Sequence, residues 1–581
     1  MSFKVLGIHD GHNASACLVE DGVLTHCVQE ERFTNVKNII GFPEKSIEYI
    51  LKDRKIVIED IDVVAWSSKF MVQPFDPKEM IAHYKRQYSD PAYAIRLKAI
   101  DLVKKYGPFL FDKKVRALQR EREKKIRKFG NPKSVTFVDH HLSHAAAAYY
   151  GSGFKEDVLV LTLDGGGDWL VSTVYVGRDG KLEKLAETPD GHSIGNIYSR
   201  TTYMLGFTPL EHEYKLMGMA PYTKDQYSDR ALGKYRKYLD LDPANPLVFK
   251  RTIKTPTHHI YPVLRKDFEL ERFDNVCAGL QRFTEELVLK WVRKAIEKTG
   301  IHTVALSGGV FMNVKANKLV MESKLVKKLF VMPSPGDETN PIGAAYHVYA
   351  QESMGQGRGP GIRPFTHLYL GYDATPADAK RALETFSEKS KLKVETERPG
   401  NTARAVAELL AEHKVVARCS GRMEFGARAL GNRSILANAS DLGCVREINM
   451  MVKKRDFWMP FAPAILRERM DDYLINPKNM DSPYMVLSFD TTDKRDEIIA
   501  AVHMADLTAR PQTVTKEWNG GYYDIIKEYE GLTGIGGILN TSFNLHGYPI
   551  VKGPEEALWV FENSGLAYLV LGDRIVSKPS H

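Results

Sequence analysis

Cysteine is scarce: five residues (Cys17, Cys27, Cys277, Cys419, Cys444) in a chain of 581, none in the paired spacing of a zinc ribbon. That excludes a disulfide framework and fits a reducing compartment. Long apolar runs are missing as well, since no stretch approaches the roughly 18 residues that cross a bilayer. The opening MSFKVLGIHDG lacks the apolar core of a secretion signal, so a soluble cytoplasmic protein without a membrane partner is expected. Strong charge of either sign is also lacking, because 81 basic against 73 acidic side chains leave a net of +8. Nine of the basic residues lie between Lys113 and Lys128 against Glu121 and Glu123, a local net of +7 that leaves +1 elsewhere. Without interleaved aromatics this run reads as a solvated helix, and no nucleic-acid partner is expected. Heptads are absent too, which leaves the oligomeric state open. What remains, 43% hydrophobic and 27% charged residues, is the composition of a chain with packed cores.

The chain carries one grammar twice. Phe3 to Ile8 is apolar, HDGHNAS is a polar loop, Ala16 to Val19 resumes, Asp21-Gly22 turns, and Val23 to Val28 returns. Val158 to Leu163, DGGGDW, Leu170 to Val176, the turn at Asp179-Gly180 and Leu182 onward repeat it. Asp-Gly between apolar runs is a hairpin signal, so an internal duplication in an α/β chain is expected. Two further glycine loops, LSGGVFMN and PSPGDETNPIGAA, follow apolar runs. Backbone amides at such strand ends can hold phosphate and their carboxylates a metal. GQGRGPGIRP reads as a linker, giving expected lobes at 1–354 and 370–581 joined by 355–369.

Two groups of side chains carry chemistry. VDHHLSHAAAAYYG sets His140 and His144 four apart at the start of an alanine-rich helix, on one face, as helical metal ligands are set. Asp164 and Asp337 stand at strand ends and could complete a His2Asp2 set for a divalent transition metal, with iron, manganese and zinc all open. GRMEFGARALGNRS packs Arg422, Arg428 and Arg433 among glycines, and VKKRD offers Lys453 and Arg455 two apart, on one side if the segment is a strand. Guanidinium groups in such company suit phosphate or carboxylate oxygens.

IHDGHNASACLVEDG, EERFTNVKNIIGFP, DHHLSHAAAAY, EYKLMGMAPY, LSGGVFMN, GRMEFGARALG, PFAPAIL, ARPQTV and LNTSFNLHGYPI occur in this order. In this the chain resembles the NodU/CmcH/TobZ family of O-carbamoyltransferases over nearly its whole length, least so in the Lys-rich stretch 75–134. The resemblance implies an actin/Hsp70-like (Kae1-like) N-terminal lobe and a nucleotide-binding YrdC/Sua5-like C-terminal lobe. It implies that the second lobe turns carbamoyl phosphate and ATP with Mg2+ into carbamoyl adenylate, releasing pyrophosphate and phosphate. The first lobe would then pass the carbamoyl group to a hydroxyl of a small-molecule acceptor of natural-product or sugar type. Arg428, Lys453, Arg455, Arg510, Asn540 and Ser542 would hold carbamoyl phosphate and the ATP phosphates. His140, His144, Asp164 and Asp337 fall on the family's metal ligands, with iron first and zinc or manganese next. Gly165, Gly309 and Asn313 would lie along the adenylate. Lys37 and His12 fall on a reactive lysine and histidine of the first lobe, and His12 would take the acceptor's proton with His9 as its rival.

Three departures stand out. Met459 replaces an arginine before PFAP, Ala427 replaces the proline of GPRALG, and TNVKN follows EERF where relatives carry a second basic residue and a histidine. Met459 removes one phosphate contact, so adenylation would be weaker or would use Arg422 or Lys454 instead. Two other classes share such lobes: a threonylcarbamoyl enzyme acting on tRNA, and a non-catalytic ATP-binding regulator. The first needs a broad basic surface and only 113–128 offers one; the second would not keep the reactive residues of both lobes.

Overall fold

The structure, a computed structural model, describes residues 2–70, 77–90, 92–93, 95–97, 99 and 112–579. Part of the Lys-rich stretch therefore lies outside the described residues. The chain is α/β and folds as two units: Met1–Glu30 with Asn38–Phe365, and Glu31–Lys37 with Thr366–His581.

In the first unit, strands β1 (Lys4–His9), β2 (Ser15–Glu20), β3 (Val23–Gln29), β4 (Val63–Trp66) and β5 (Val135–Phe137) form a sheet in the order β3-β2-β1-β4-β5. A second sheet uses β6 (Val158–Gly167), β7 (Leu170–Arg178) and β8 (Lys181–Pro189). After a separate two-stranded ribbon, β9 (Leu239–Asp242) with β10 (Asn245–Arg251), it adds β11 (Thr303–Ser307) and β12 (Lys328–Val331), in the order β12-β11-β6-β7-β8. Both sheets have two antiparallel hairpins on one side and two parallel strands on the other. The repeat expected from the sequence is thus a repeat of topology. Its turns repeat too: Asp21-Gly22 and Asp179-Gly180 all have positive φ, at 48°, 79°, 49° and 77°. This is the left-handed pair that matches the twist of a tight hairpin.

Two helices cross over between the sheets. Helix His140–Ser152 leaves β5 of the first sheet and packs on β6 and β11 of the second, while helix Asn340–Gly355 leaves β12 and packs on β1, β2 and β4. They touch each other where Gly343 meets Ser143; a Cβ on Gly343 would lie 1.7 Å from the Ser143 carbonyl oxygen. Small residues allow this approach, with Ala145, Ala146, Ala147 and Ala148 all fully buried. The exchange brings histidines from the first half of the repeat to carboxylates of the second.

The glycine-rich stretch read as a linker lies on the first unit. Arg363 N–H donates to the Gly22 carbonyl at 2.9 Å, and Phe365 packs against Phe330 at 6.2 Å between ring centres. In the second unit an eight-stranded mixed sheet runs Glu395–Glu397, Arg574–Ser577, Tyr568–Leu571, Val416–Cys419, Arg433–Ala437, Gly537–Ser542, Ala462–Leu466, Gln512–Val514. Helices Thr402–Ala411 and Gly520–Thr533, capped by the side chains of Asn401 and Asn519, cover it. Val406, Leu410, Ile526 and Tyr529 meet Val416, Leu436, Leu466 and Ile538 in a closed apolar core.

The helix crossing generates a prediction. Gly343→Ala forces backbone apart in a packed interior, where overpacking costs typically about 1–3 kcal/mol and more if rigid. The variant is expected to melt several degrees below wild type and to bind less divalent metal, measured by thermal unfolding and elemental analysis.

Candidate metal centre and anion pocket

His140 and His144 sit one turn apart on a helix whose first residues are held by two carboxylates. Asp139 caps the helix by accepting from Leu142 N–H at 3.1 Å, and Asp168 accepts from His140 N–H at 2.9 Å. His140 Nε2 lies 3.2 Å from Asp164 Oδ2 and 3.5 Å from Asp337 Oδ1; His144 Nε2 lies 3.6 and 3.3 Å from the same atoms. One ligand atom from each of the four residues falls within 4.8 Å of the other three. Both imidazoles are fully buried, and Asp337 Oδ1 is buried without a hydrogen bond. Two imidazole nitrogens and two carboxylate oxygens converging with one oxygen unsatisfied fit a divalent transition cation. The outer nitrogen of His144 is fixed by Ser307 Oγ at 3.2 Å, as metal-ligating histidines are usually oriented. His141, three residues before His144, faces Thr162 Oγ1 at 2.8 Å instead.

Electrostatics agree with the donor set. Burial opposes charge on His140, yet Asp337 and Asp164 outweigh it and raise the group to about 9. His144 is raised against burial by Asp164 and Asp337, and Asp164 is pulled well below the usual carboxylate range, against its own burial, by the two imidazoles. Without a metal the cluster holds a proton in its place.

Residues that sequence reasoning passed over hold this centre. Arg122, one of the nine basic residues of the charged run, is 2% exposed and grips Asp10 with two hydrogen bonds of 2.8 and 2.6 Å. It also donates to the Ser68 carbonyl at 2.8 Å, and Ser68 Oγ donates to Asp168 at 2.8 Å. The chain of contacts thus runs from the basic helix to the first turn of the histidine helix. Such a bidentate buried pair is costly to break from one side, by about 3–5 kcal/mol. At the end of β1, next to Asp10, His9 accepts from Ser67 Oγ at 3.0 Å and donates to the His12 carbonyl at 3.1 Å. Burial drives His9 down to about 4, with Asp337 opposing. Both its nitrogens are engaged, whereas His12 is half-buried in the loop that follows.

Glycines close the floor. Gly308, at φ 107°, passes so near β6 that a Cβ would meet the Leu163 carbonyl at 2.3 Å, and one on Gly309 would lie 2.9 Å from Asp164 Oδ1. Gly165 N–H donates to Asp164 Oδ1 at 2.7 Å. Asn313, expected along an adenylate, caps helix Val314–Glu322 and exchanges two 2.9 Å hydrogen bonds with Gln281. Its oxygen is committed to the fold because the helix start needs an acceptor there.

In the second unit a pocket is lined by Ala427, Arg428, Arg455, Arg510, Asn540 and Ser542 among others, with no carboxylate among the described residues of its wall. The expected strand geometry of Lys453 and Arg455 is corrected: Lys453 ends a π-helical turn and Lys454 is left-handed, with φ 47°. The bend still carries both to strand Gly537–Ser542, Lys453 Nζ to Ser542 Oγ and Arg455 to Thr541 Oγ1, each at 3.0 Å. Burial, then Arg455 and Lys37, push the Lys453 ammonium well below its usual range; burial, then Arg428 and Arg455, do the same to Arg510. Arg510 Nε and Asn540 Oδ1 are buried without partners. The other two arginines of the motif do not join. Arg433 is fully buried on backbone carbonyls of Lys552, Gly421, Asn432 and Tyr372, and Arg422 donates to those of Gly371 and Leu370. Ala427 lines the pocket, Met459 is not among its lining residues, and Lys454 is exposed.

Lys37 is placed differently from expectation. Its segment Glu31–Lys37 belongs to the second unit, with Arg32 donating to the Gly426 carbonyl at 2.7 Å, and its charge bears on Lys453. A seven-residue excursion of backbone leaves no periodic signal from which this could be read.

The family model described as Carbamoyltransferase N-terminus matches residues 4–346, and that described as Carbamoyltransferase C-terminus matches 407–578. An uncharacterized protein of Methanocaldococcus jannaschii is 32% identical over 99% of both chains. Nodulation protein NolNO of Sinorhizobium fredii is 31% identical over 98% of this chain and 79% of its own length. Nodulation protein U of Rhizobium tropici is 32% identical over 47% of this chain and 44% of its own. Among solved structures, component A of (R)-2-hydroxyglutaryl-CoA dehydratase from Acidaminococcus fermentans is similar at TM-score 0.31 and 13% identity, covering 59% of this chain and 96% of that one. Full-length HypF is similar at TM-score 0.31 and 14% identity, covering 59% and 54%. Both lie below the level at which a shared fold follows.

Metal uptake should be linked to protons. A divalent ion needs both imidazoles neutral, and His140 keeps its proton up to about 9 in the metal-free cluster. Affinity for Zn2+ is therefore expected to rise from pH 6 to about 9 and then level, with about one proton released at pH 7.5. Calorimetric titration in buffers of different ionisation enthalpy measures this. The raised histidine also stabilises the metal-free fold fully below the ordinary imidazole value near 6.5, and that stability is lost as pH rises through about 9.

Proposed function

Because the chain belongs to the carbamoyltransferase family, we propose that it is an ATP-dependent O-carbamoyltransferase whose two units divide one reaction. The observation that carries this reading is the pocket of Arg428, Arg455 and Arg510 beside Lys453, which has no carboxylate among its described lining residues and whose charge calls for multiply anionic substrates. Carbamoyl phosphate and Mg-ATP are such substrates. Water cleaves carbamoyl phosphate to carbamate and phosphate; a carbamate oxygen then attacks the α-phosphorus of ATP, forming carbamoyl adenylate and releasing pyrophosphate. Arg428, Arg455, Arg510 and Lys453 hold the phosphate oxygens, and Asn540 and Ser542 orient the donor.

The second step belongs to the first unit, read as Kae1-like, with the second unit YrdC/Sua5-like. An acceptor hydroxyl oxygen bonds to the carbamoyl carbon, the bond to AMP breaks, and the hydroxyl proton passes to a ring nitrogen of His12. His140, His144, Asp164 and Asp337 would hold a divalent metal, Fe2+ first and Zn2+ or Mn2+ next, which supplies Lewis-acid polarisation when bound. Gly165 and Gly309 leave the floor beside Asp164 free of side chains for the adenylate. The acceptor is a small hydroxylated molecule, and the setting is cytoplasmic; among the described residues no helix is long and apolar enough to cross a membrane.

The two steps should separate by mutation. His140→Ala is expected to keep carbamoyl-phosphate-dependent pyrophosphate release while transfer falls at least 100-fold. Arg428→Ala should lose pyrophosphate release by about 100-fold, the worth of roughly 2.7 kcal/mol of charge-assisted binding, with transfer restored by supplied carbamoyl adenylate. Loss of pyrophosphate release in a folded His140→Ala would overturn the division.

A further inference from the structure

The two ligating histidines are not held alike. His144 turns its outer nitrogen, Nδ1, to Ser307 Oγ at 3.2 Å. His140 faces Asp164 and Asp337 with Nε2, so its outer nitrogen is Nδ1 as well. No hydroxyl, carboxylate or backbone carbonyl meets that nitrogen; among the described residues its hydrogen-bond neighbour is Asn340 alone. The ring is pressed against β6, where a Cβ on Gly167 would come within 2.5 Å of Nδ1.

Asn340 opens the second crossing helix, one turn after Asp337, and the two histidines stand in the first turns of the other. Its Nδ2 lies 3.4 Å from His140 Nδ1 and 3.2 Å from His144 Nε2. These pairs are 200 and 196 residues apart in sequence, and the exchange of helices between the sheets is what joins them. Asn340 is fully buried, and its Oδ1 has no hydrogen-bond partner. A buried amide oxygen left unmet calls for a role.

A neutral imidazole carries one ring proton. A cation at His140 Nε2 takes that lone pair and leaves the proton on Nδ1, which then needs an acceptor. An NH2 group facing it sets donor against donor. A half-turn of the Asn340 amide about its last torsion exchanges Nδ2 and Oδ1 and moves no other heavy atom, bringing the unmet oxygen to the unmet proton. At His144 the half-turn loses nothing, because the Nε2 lone pair can accept from Nδ2 only while no cation holds it. We propose that Asn340 is a positioning residue of the metal centre: with a divalent cation bound, its side-chain oxygen accepts from His140 Nδ1–H and holds the ring with Nε2 toward the cation. Outer partners of this kind typically weigh about 10- to 100-fold in metal affinity. The inference rests on the metal centre described above and not on the reaction proposed for it.

The test is the zinc affinity of the full chain, by competition with a chromophoric chelator, in wild type, Asn340→Leu and Asn340→Asp. Leucine is near the amide in size but cannot accept a hydrogen bond; aspartate can. Asn340→Leu is expected to bind Zn2+ about 10- to 100-fold more weakly, and Asn340→Asp at least as tightly as wild type. A packing defect would weaken both variants alike. A second readout is independent of affinity. In zinc-saturated protein labelled with 15N-histidine, the His140 Nδ1–H proton is expected to exchange slowly with water in wild type and Asn340→Asp, and to be lost to exchange in Asn340→Leu. Equal affinity of Asn340→Leu and wild type, equal weakening in both variants, or a His140 Nδ1–H that exchanges alike in all three would overturn the role of Asn340. Wild type that takes up no zinc would overturn the metal centre itself, and this inference with it.

Discussion

Charge of one sign cannot stay buried without charge of the other, and each unit of this chain partly buries an unbalanced set. In the first, two carboxylates converge on two imidazoles, and in the absence of a metal His140 is held protonated to about 9. In the second, Arg428, Arg455, Arg510 and Lys453 converge with no carboxylate among the described residues of the wall. Such clusters cost several kcal/mol unless a counter-charge arrives, so the two suit ligands of opposite sign, a cation in one unit and anions in the other. The carbamoyl transfer proposed above, split into an activation and a delivery step, would use both.

The first centre depends in turn on the exchange of helices between two like sheets. Neither half of the repeat carries all four ligands; His140 and His144 come after the first sheet, Asp164 lies within β6 of the second, and Asp337 opens the short turn that follows β12 and leads into helix Asn340–Gly355. The contact at Gly343 lets the two helices approach closely, and Arg122, through Asp10, Ser68 and Asp168, ties the loop of β1 to the start of the histidine helix. A basic residue that looks solvated in sequence is here a structural strut.

Features with a local cause were legible. The Asp-Gly turns, the repeated strand grammar, the four-residue spacing of His140 and His144, and the glycine loops all announce themselves within a dozen residues. Longer-range outcomes were not. Arg422, Arg428 and Arg433 look equivalent in sequence, but only tertiary packing decides that Arg433 ends on carbonyls while Arg428 faces the pocket. Lys453 and Arg455 converge through a π-turn and a left-handed Lys454, a route that alternation on a strand does not describe. Lys37 joins the second unit through a seven-residue segment far from it in sequence, and Asn313 serves a helix cap that its motif does not reveal.

Anomalous X-ray scattering from crystals soaked in manganese and in tungstate, a heavy analogue of phosphate-type anions, addresses both charge clusters in one experiment. The account predicts a manganese peak enclosed by His140, His144, Asp164 and Asp337, and a tungstate peak among Arg428, Arg455 and Arg510. Both ions absent from these places, or each found in the other's site, would contradict it.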